Sequence, residues 1–142
     1  LYKGIKNKNI LLTKSIKDLP KNIEKNCKGK KRIIFLNFAA IRDEKILIDL
    51  ETKKINSILE ANILSSLKIA KQLIPVMIKY DFGRLIFLSS KKAELGSEGN
   101  VLYSFSKSGL YGLSRSISKE YKKFNITSNI ISLGYFESKM WS

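Results

Sequence analysis

Leu85-Ile86-Phe87-Leu88 is the stretch that decides the fold of this chain, because it is a short, continuous apolar run. Such a run is typical of a strand buried on both faces. Ile33-Ile34-Phe35-Leu36 is a second run of this kind, rich in β-branched residues, and residues 126–132 predict a third strand. Ile10-Leu11-Leu12 predicts a further short strand near the beginning of the sequence.

Helical patterns lie between these strands. Residues 15–28 predict a polar helix, and an apolar stripe over residues 52–79 predicts a long one. After a glycine-rich loop, apolar residues recur at spacings of three and four up to Tyr121. Alternation of strands and helices predicts parallel βαβ units, with helices on both faces of one doubly wound α/β sheet.

Length and composition are those of one globular domain over residues 1–142. Charges interrupt every apolar run well short of the ~18 residues of a membrane span, and the first residues lack the apolar region of a signal peptide. We therefore expect a cytoplasmic protein without a membrane segment. Cys27 is the only cysteine and histidine is absent, so neither an internal disulfide nor a metal site is predicted.

The formal net charge of +15 suits nucleic acid, an anionic membrane or an acidic protein partner. However, the lysines are spread along the chain, whereas nucleic-acid binders usually rely on arginine grouped with aromatic residues. A general compositional bias towards lysine, isoleucine and asparagine accounts for the same charge. Nucleic-acid binding is therefore the weaker interpretation, and steep salt-dependent retention on DNA would be needed to support it.

Polar residues stand where the predicted strands end, at the edge where parallel sheets bind ligands. Ser90 follows the strand at 85–88, and Tyr103 and Lys107 lie four residues apart on the next predicted helix. An ammonium about 4 Å from a phenol favours the phenolate by up to ~4 kcal/mol, which would lower the pKa of Tyr103. Asn62 interrupts the apolar stripe of the long helix, where a buried amide requires hydrogen-bond partners.

In order and spacing, these segments resemble the short-chain dehydrogenase/reductase family over nearly the whole chain. The similarity rests on five elements of that family: its Asn-Asn-Ala-Gly segment, its catalytic Asn, its serine-bearing strand, its Tyr-x-x-x-Lys element and its Pro-Gly segment. Their counterparts here are Leu36-Asn37-Phe38-Ala39-Ala40, Glu60-Ala61-Asn62, residues 83–90, Tyr103-Ser104-Phe105-Ser106-Lys107 and residues 129–138. Within the family, the chain most resembles 3-oxoacyl-acyl-carrier-protein reductases.

The resemblance implies an NAD(P)H-dependent oxidoreductase with a Rossmann-like fold. In it Tyr103 is the proton donor, Lys107 lowers the pKa of Tyr103 and binds the nicotinamide ribose, Ser90 orients the substrate carbonyl, and Asn62 holds a water in a proton relay. The implied cofactor-binding residues are Asn37, Ala39, Tyr103, Lys107, Gly134, Phe136 and Ser138. The choice between NADH and NADPH stays open.

Several positions depart from the family pattern. Phe38, Ala40 and Leu133 replace the family's second Asn, its Gly and its Pro, and Lys14 stands where an Asp usually meets the adenine ring. The glycine-rich turn that binds the pyrophosphate has no counterpart before Asn37. We therefore expect an N-terminally truncated, partial Rossmann-like sheet that lacks the first βαβ units, and a chain that is an internal fragment of a longer enzyme.

Three functions remain open from the sequence. The first is reduction of a carbonyl on a small molecule or on a carrier protein, such as a 3-oxoacyl group on an acidic acyl carrier protein, which a basic surface would suit. The second is a sugar or polysaccharide-pathway dehydrogenase of the same family. The third is a non-catalytic relic that acts as an oligomerisation module. In each case the resemblance implies homo-oligomers formed through the helices at 52–79 and 103–123.

Overall fold

The computed structural model describes residues 16–26, 29 and 32–134. Its main elements in chain order are α1 (Leu19–Asn26), β1 (Ile33–Asn37), α2 (Thr52–Leu59), a π-helical turn (Glu60–Leu64), α3 (Ser65–Lys79), β2 (Gly83–Ser90), α4 (Lys91–Leu95), α5 (Val101–Tyr121) and β3 (Ile126–Leu133). Single turns of 3₁₀ helix occur at Ile16–Asp18, Leu47–Asp49 and Lys122–Phe124. The predicted strand at residues 10–12 lies outside the described residues.

The three strands form one parallel sheet in the order β1-β2-β3. Phe35 pairs with Leu85, and Leu85 pairs with Ser128 on the other side. Parallel neighbours of this kind require helical crossovers, which α2–α3 and α4–α5 supply. The prediction of an α/β protein with a Rossmann-like parallel sheet is therefore confirmed.

The predicted long helix over residues 52–79 is present but is not uniform. Between α2 and α3 the backbone widens into the π turn, where the amide of Ser65 donates to the carbonyl of Glu60. Such turns insert an extra residue and are frequent at functional sites. Asn62 lies at the centre of this turn and is fully buried.

The core lies between the sheet and the helices on one of its faces. Side chains of α1, α3 and α5 meet alternate residues of the strands there, with Phe87 stacked edge-on against Phe35. The buried apolar members are Ile23, Ala70, Leu73, Ile74, Val76, Met77, Leu85, Phe87, Leu110, Ile117 and Ile126. This packing fixes the height of α5 above the sheet, and therefore the position of the residues in its first turns.

The opposite face of the sheet is open in the described part of the chain. Ile34 is 56% exposed and Leu36 is 46% exposed, although both belong to the apolar run of β1. The prediction that this strand is buried on both faces is therefore wrong for the described residues. The reason is that α1, α3 and α5 all pack into the same core, so alternate side chains of β1 have no helix above them.

The loop between β2 and α5 is more ordered than the sequence predicted. Lys91–Leu95 forms the short helix α4, and the glycine-rich loop begins only after it. Gly96 and Gly99 have φ angles of +76° and +65°, a region that glycine enters without steric cost. The turn therefore reverses the chain and directs α5 back over the carboxyl ends of the strands.

Candidate functional site

Ser90 and Tyr103 meet at the carboxyl edge of the sheet. Ser90 is the last residue of β2 and caps α4, where its hydroxyl accepts a hydrogen bond of 3.2 Å from the amide of Lys92. Tyr103 lies in the first turn of α5 and is half-buried. The Ser90 hydroxyl also lies close enough to the Tyr103 phenol to lower its pKa, so the structure brings these two predicted residues together.

Lys107 follows Tyr103 by one helical turn and is only 3% exposed. Its ammonium nitrogen Nζ donates a 2.8 Å hydrogen bond to the main-chain carbonyl of Leu88 in β2. The main-chain carbonyl of Lys107 accepts a 3.3 Å hydrogen bond from the Ser89 hydroxyl. This bond is a second connection between α5 and β2, one residue along β2 from Leu88. Burial lowers the pKa of Lys107 from its ordinary value of 10.5 to about 8.

The pKa of Tyr103 moves in the direction opposite to the prediction. Burial raises it above its ordinary value of 10.0, while the Ser90 hydroxyl and the charge of Arg42 act to lower it. The sequence argument assigned the lowering to Lys107, but the Lys107 ammonium donates to Leu88. In this structure Tyr103 is therefore a firmly protonated phenol at neutral pH.

Asn62 joins three segments through its side chain. Its amide nitrogen donates to the carbonyl of Ile41 at 2.8 Å and to the hydroxyl of Ser106 at 2.9 Å, and its amide oxygen accepts from the amide of Ile41 at 2.8 Å. Both amide hydrogens are thus engaged. The main-chain carbonyl of Asn62 accepts a 3.4 Å hydrogen bond from the Ser66 hydroxyl. The role of Asn62 in a water relay remains a prediction.

Asn37 ends β1 and shapes the loop that follows. Its amide nitrogen donates to the Ser66 hydroxyl at 2.5 Å, and its amide oxygen accepts from the amide of Ala39 at 2.9 Å. Ala39 itself is exposed. This bonding turns the backbone outward at the sheet edge, which leaves residues 38 and 39 accessible beside the carboxyl ends of the strands.

The remaining predicted cofactor residues follow β3. Gly134 is exposed at the end of this strand, on the same edge of the sheet as Ser90, because Ser90 pairs with Leu133. Phe136 and Ser138 lie outside the described residues. Their assignment as cofactor-binding residues remains a prediction.

Arg42 is the residue at this edge that the sequence argument missed. Its side chain is 21% exposed and forms a 3.0 Å ion pair with Glu44. A signal was available, since Arg42-Asp43-Glu44-Lys45 is a charged run close behind a predicted site segment. Nothing in the sequence, however, indicated that this run approaches the helix that bears Tyr103.

Within the described ranges, no cluster of three or more Cys, Asp or Glu side chains is arranged to hold a metal ion. No helix in those ranges has the length and apolarity needed to cross a bilayer.

The buried ammonium of Lys107 gives the fold a distinctive pH dependence. Between pH 8 and 10.5 the folded chain loses the Lys107 proton while the unfolded chain keeps it, so the free energy of unfolding rises with pH across this window. We expect an increase of roughly 1–3 kcal/mol from this residue alone. Urea unfolding at several pH values measures it.

Lys107→Met is the control for this measurement, because it lacks the titrating group. Hydrogen bonds to Glu24 and Glu94 raise the pKa values of Lys79 and Lys91, respectively. Their contributions to the free energy of unfolding therefore fall as pH rises, and they do so equally in wild type and variant. The difference between wild type and variant therefore isolates Lys107. Parallel pH profiles for the two proteins would mean that the Lys107 ammonium is not destabilised by burial.

The sequence matches the family model of the short chain dehydrogenases over residues 9–142. Among curated relatives, it is 33% identical over 130 residues to the 3-oxoacyl-[acyl-carrier-protein] reductase FabG of Buchnera aphidicola subsp. Acyrthosiphon pisum, covering 91% of this chain and 53% of the relative. It is 31% identical over 107 residues to FabG of Escherichia coli K12, covering 75% of this chain and 44% of the relative. The chain thus spans about half the length of the curated relatives it matches.

Solved structures give the same fold. A protein classed as a short-chain alcohol dehydrogenase from Sinorhizobium meliloti 1021 superposes with a TM-score of 0.80 at 25% identity, covering 89% of this chain and 50% of its own. A gluconate 5-dehydrogenase from Burkholderia cenocepacia J2315, solved with NADP and tartrate, superposes with a TM-score of 0.81 at 21% identity. The superposition covers 88% of this chain and 48% of the dehydrogenase.

Proposed function

The chain belongs to the short-chain dehydrogenase family, and we propose that it contributes the proton-donating site of an enzyme that reduces a carbonyl group with NAD(P)H. The observation that carries the proposal is the proximity of the Ser90 hydroxyl and the Tyr103 phenol, beside the buried ammonium of Lys107. All three stand at the carboxyl edge of a parallel sheet, where ligands bind in this class of fold.

Tyr103 is suited to act as the general acid. A phenol keeps its proton at neutral pH, and the protonated form is the one that can give a proton to a carbonyl oxygen. The hydrogen bond from the amide of Lys92 holds the Ser90 hydroxyl at the end of β2, where it is close enough to the phenol to act on its pKa. A carbonyl oxygen placed between the two hydroxyls would receive two hydrogen bonds, which stabilise the negative charge that develops on it.

The residues present fit a nicotinamide cofactor. Lys107 uses one ammonium hydrogen on Leu88 and has others to offer to ribose hydroxyls. Asn37 turns the backbone at Ala39 outward along the same edge, and Gly134 is exposed at the end of β3. When bound there, NAD(P)H would supply the hydride. We propose that Phe136 and Ser138 complete this site; the described residues do not distinguish NADH from NADPH.

For the substrate, we favour a 3-oxoacyl group carried by an acyl carrier protein. Relatives that share about a third of their residues with this chain are named as reductases of that substrate. The net charge of +15 would attract an acidic carrier protein and speed its association. A small-molecule carbonyl or a sugar substrate is the alternative, since a gluconate dehydrogenase has the same fold.

We also propose that the protein forms homo-oligomers through the outer faces of α3 and α5. A groove of about 330 Å³ runs between these helices, lined mainly by apolar side chains. Leu67 is 46% exposed at its edge, and Phe105 is 65% exposed near the start of α5. Exposed apolar surface of this extent commonly marks a protein–protein contact.

A reductase assay tests the proposal. The full-length protein is incubated with NADH or NADPH and with either an acetoacetyl thioester or 5-ketogluconate, and the loss of nicotinamide absorbance is followed. Turnover of the thioester supports the acyl substrate, and turnover of the sugar acid alone supports the alternative. No turnover of either with both cofactors would favour the non-catalytic interpretation.

A further inference from the structure

Ser106 is a buried residue of α5 whose hydroxyl joins two parts of the candidate site. It is only 1% exposed. Its hydroxyl oxygen accepts a 2.9 Å hydrogen bond from the side-chain amide of Asn62, and the hydroxyl donates a 2.8 Å hydrogen bond to the main-chain carbonyl of Tyr103. A serine hydroxyl has a single hydrogen to donate, so these two bonds fix its rotation. The turn of α5 that carries Tyr103 is therefore connected directly to the π turn.

A packing contact one helical turn further along α5 holds the same two elements together. Gly109 lies against Ile63 of the π turn, because a Cβ atom at Gly109 would come within 2.7 Å of the Ile63 Cδ1 atom. That distance is shorter than van der Waals contact between carbon atoms. Ser106 is three residues from both Tyr103 and Gly109, and residues at this spacing are neighbours on a helix surface. Successive turns of α5 thus rest on the π turn, one through a hydrogen bond and one through packing.

We propose that Ser106 is a positioning residue, whose hydroxyl holds the Tyr103 turn of α5 at the level of the Ser90 hydroxyl at the end of β2. The inference rests on the proposed function, in which a carbonyl oxygen lies between the hydroxyls of Tyr103 and Ser90. Because Ser106 is buried, it acts through the main chain of Tyr103 and not by contact with the substrate. A displacement of about 1 Å between reacting groups can lower a rate by up to ~100-fold, so the loss of this bond should be visible in turnover.

Ser114 provides a matched comparison on the same helix. It is 3% exposed, and its hydroxyl shares a 2.9 Å hydrogen bond with the hydroxyl of Ser128 in β3. Replacement of either Ser106 or Ser114 by alanine removes one buried hydroxyl and takes a hydrogen bond from a buried polar partner. A general loss of stability should therefore be similar in the two variants, whereas only Ser106→Ala disconnects the π turn from Tyr103.

The test is an NMR titration of the full-length protein labelled with ¹³C at the tyrosine ζ carbons, without substrate or cofactor. The Tyr103 resonance is identified by its loss in Tyr103→Phe. The nearby Ser90 hydroxyl lowers the pKa of Tyr103, so Ser90→Ala should raise this pKa. The same replacement should raise it by less than about half as much in the Ser106→Ala background, because the phenol is no longer held beside Ser90. In the Ser114→Ala background the full rise should remain.

Steady-state kinetics give the functional readout. We expect Ser106→Ala to lower kcat roughly 10-fold, while the Kd for NAD(P)H, measured by fluorescence, stays within about twofold of wild type. Ser114→Ala should leave kcat within about twofold of wild type. If Ser106→Ala does not fold by circular dichroism, Ser106→Cys takes its place, since a thiol is only a weak donor.

Two results would overturn the proposal. The first is an equal effect of Ser90→Ala on the Tyr103 pKa in wild type and in Ser106→Ala. The second is a loss of kcat in Ser106→Ala no larger than that in Ser114→Ala. If the full-length protein reduces no carbonyl, the titration decides alone. Since the titration needs no turnover, the inference can fail while the reductase assay succeeds, and the reverse.

Discussion

Replacement of Tyr103 by phenylalanine is expected to lower kcat for carbonyl reduction by about 100- to 10,000-fold, the range that a positioned general acid contributes. The variant removes one hydroxyl, which lies near the hydroxyl of Ser90, and leaves the ring in place. Because Lys107 bonds to Leu88 and not to the phenol, the fold around the ammonium should be retained. Steady-state kinetics of the full-length protein, with cofactor binding measured separately, test this expectation.

Tyr111→Phe is the matched control on the same helix. Its hydroxyl donates a 2.7 Å hydrogen bond to Glu94 at the surface, so the variant makes the same chemical change two turns away from the site. We expect its kcat to stay within about twofold of wild type, because a surface hydrogen bond contributes little. If Tyr103→Phe and Tyr111→Phe have the same kcat, Tyr103 does not deliver the proton.

The second large effect is expected for Asn62→Ala. This side chain makes three hydrogen bonds of 2.8–2.9 Å inside the fold, and its removal leaves the amide and carbonyl of Ile41 and the hydroxyl of Ser106 without their partner. Each buried polar group left without a hydrogen bond costs ~1–3 kcal/mol, but water can reach the main-chain groups of Ile41 and reduce this cost. We therefore expect a loss of about 2–4 kcal/mol in the free energy of unfolding. Urea denaturation measures it.

Asn56→Ala provides the comparison for this variant, since Asn56 is exposed in α2 of the same long helix. Its effect should stay within about 0.5 kcal/mol. Amide hydrogen exchange adds a local readout, because the Ile41 amide donates to Asn62 and should exchange faster only in Asn62→Ala. Equal stability of the two variants, or unchanged exchange at Ile41, would show that Asn62 does not hold the loop.

The order of secondary structure could be predicted from the sequence because each element has its own periodicity. The apolar runs of β1 and β2 and the stripe along residues 52–79 all became the expected strands and helices. The short helix α4 was missed, since its five residues carry no repeating pattern. The exposure of Ile34 and Leu36 was also missed, because an apolar residue does not reveal whether a helix lies above it.

The candidate site was predictable where it depends on position along the chain. Ser90 follows a predicted strand, and Tyr103 and Lys107 share a helical face by their spacing. The bond from Lys107 to Leu88 was not predictable, because it depends on the height at which α5 packs over β2. For the same reason, a pairwise argument from the sequence gave the wrong direction for the pKa of Tyr103.

The sequence by itself therefore determined which elements form, their order, and which of them carry Ser90, Tyr103 and Lys107, because periodicity and spacing are local properties of the chain. Only the tertiary structure decided which buried polar groups meet. It placed the ammonium of Lys107 on the carbonyl of Leu88 and, through the hydrogen bonds of Asn62, the loop at Ile41 beside Ser106 of α5. Burial and electrostatic interaction depend on distances across the fold, and such distances are set by packing between elements far apart in the sequence.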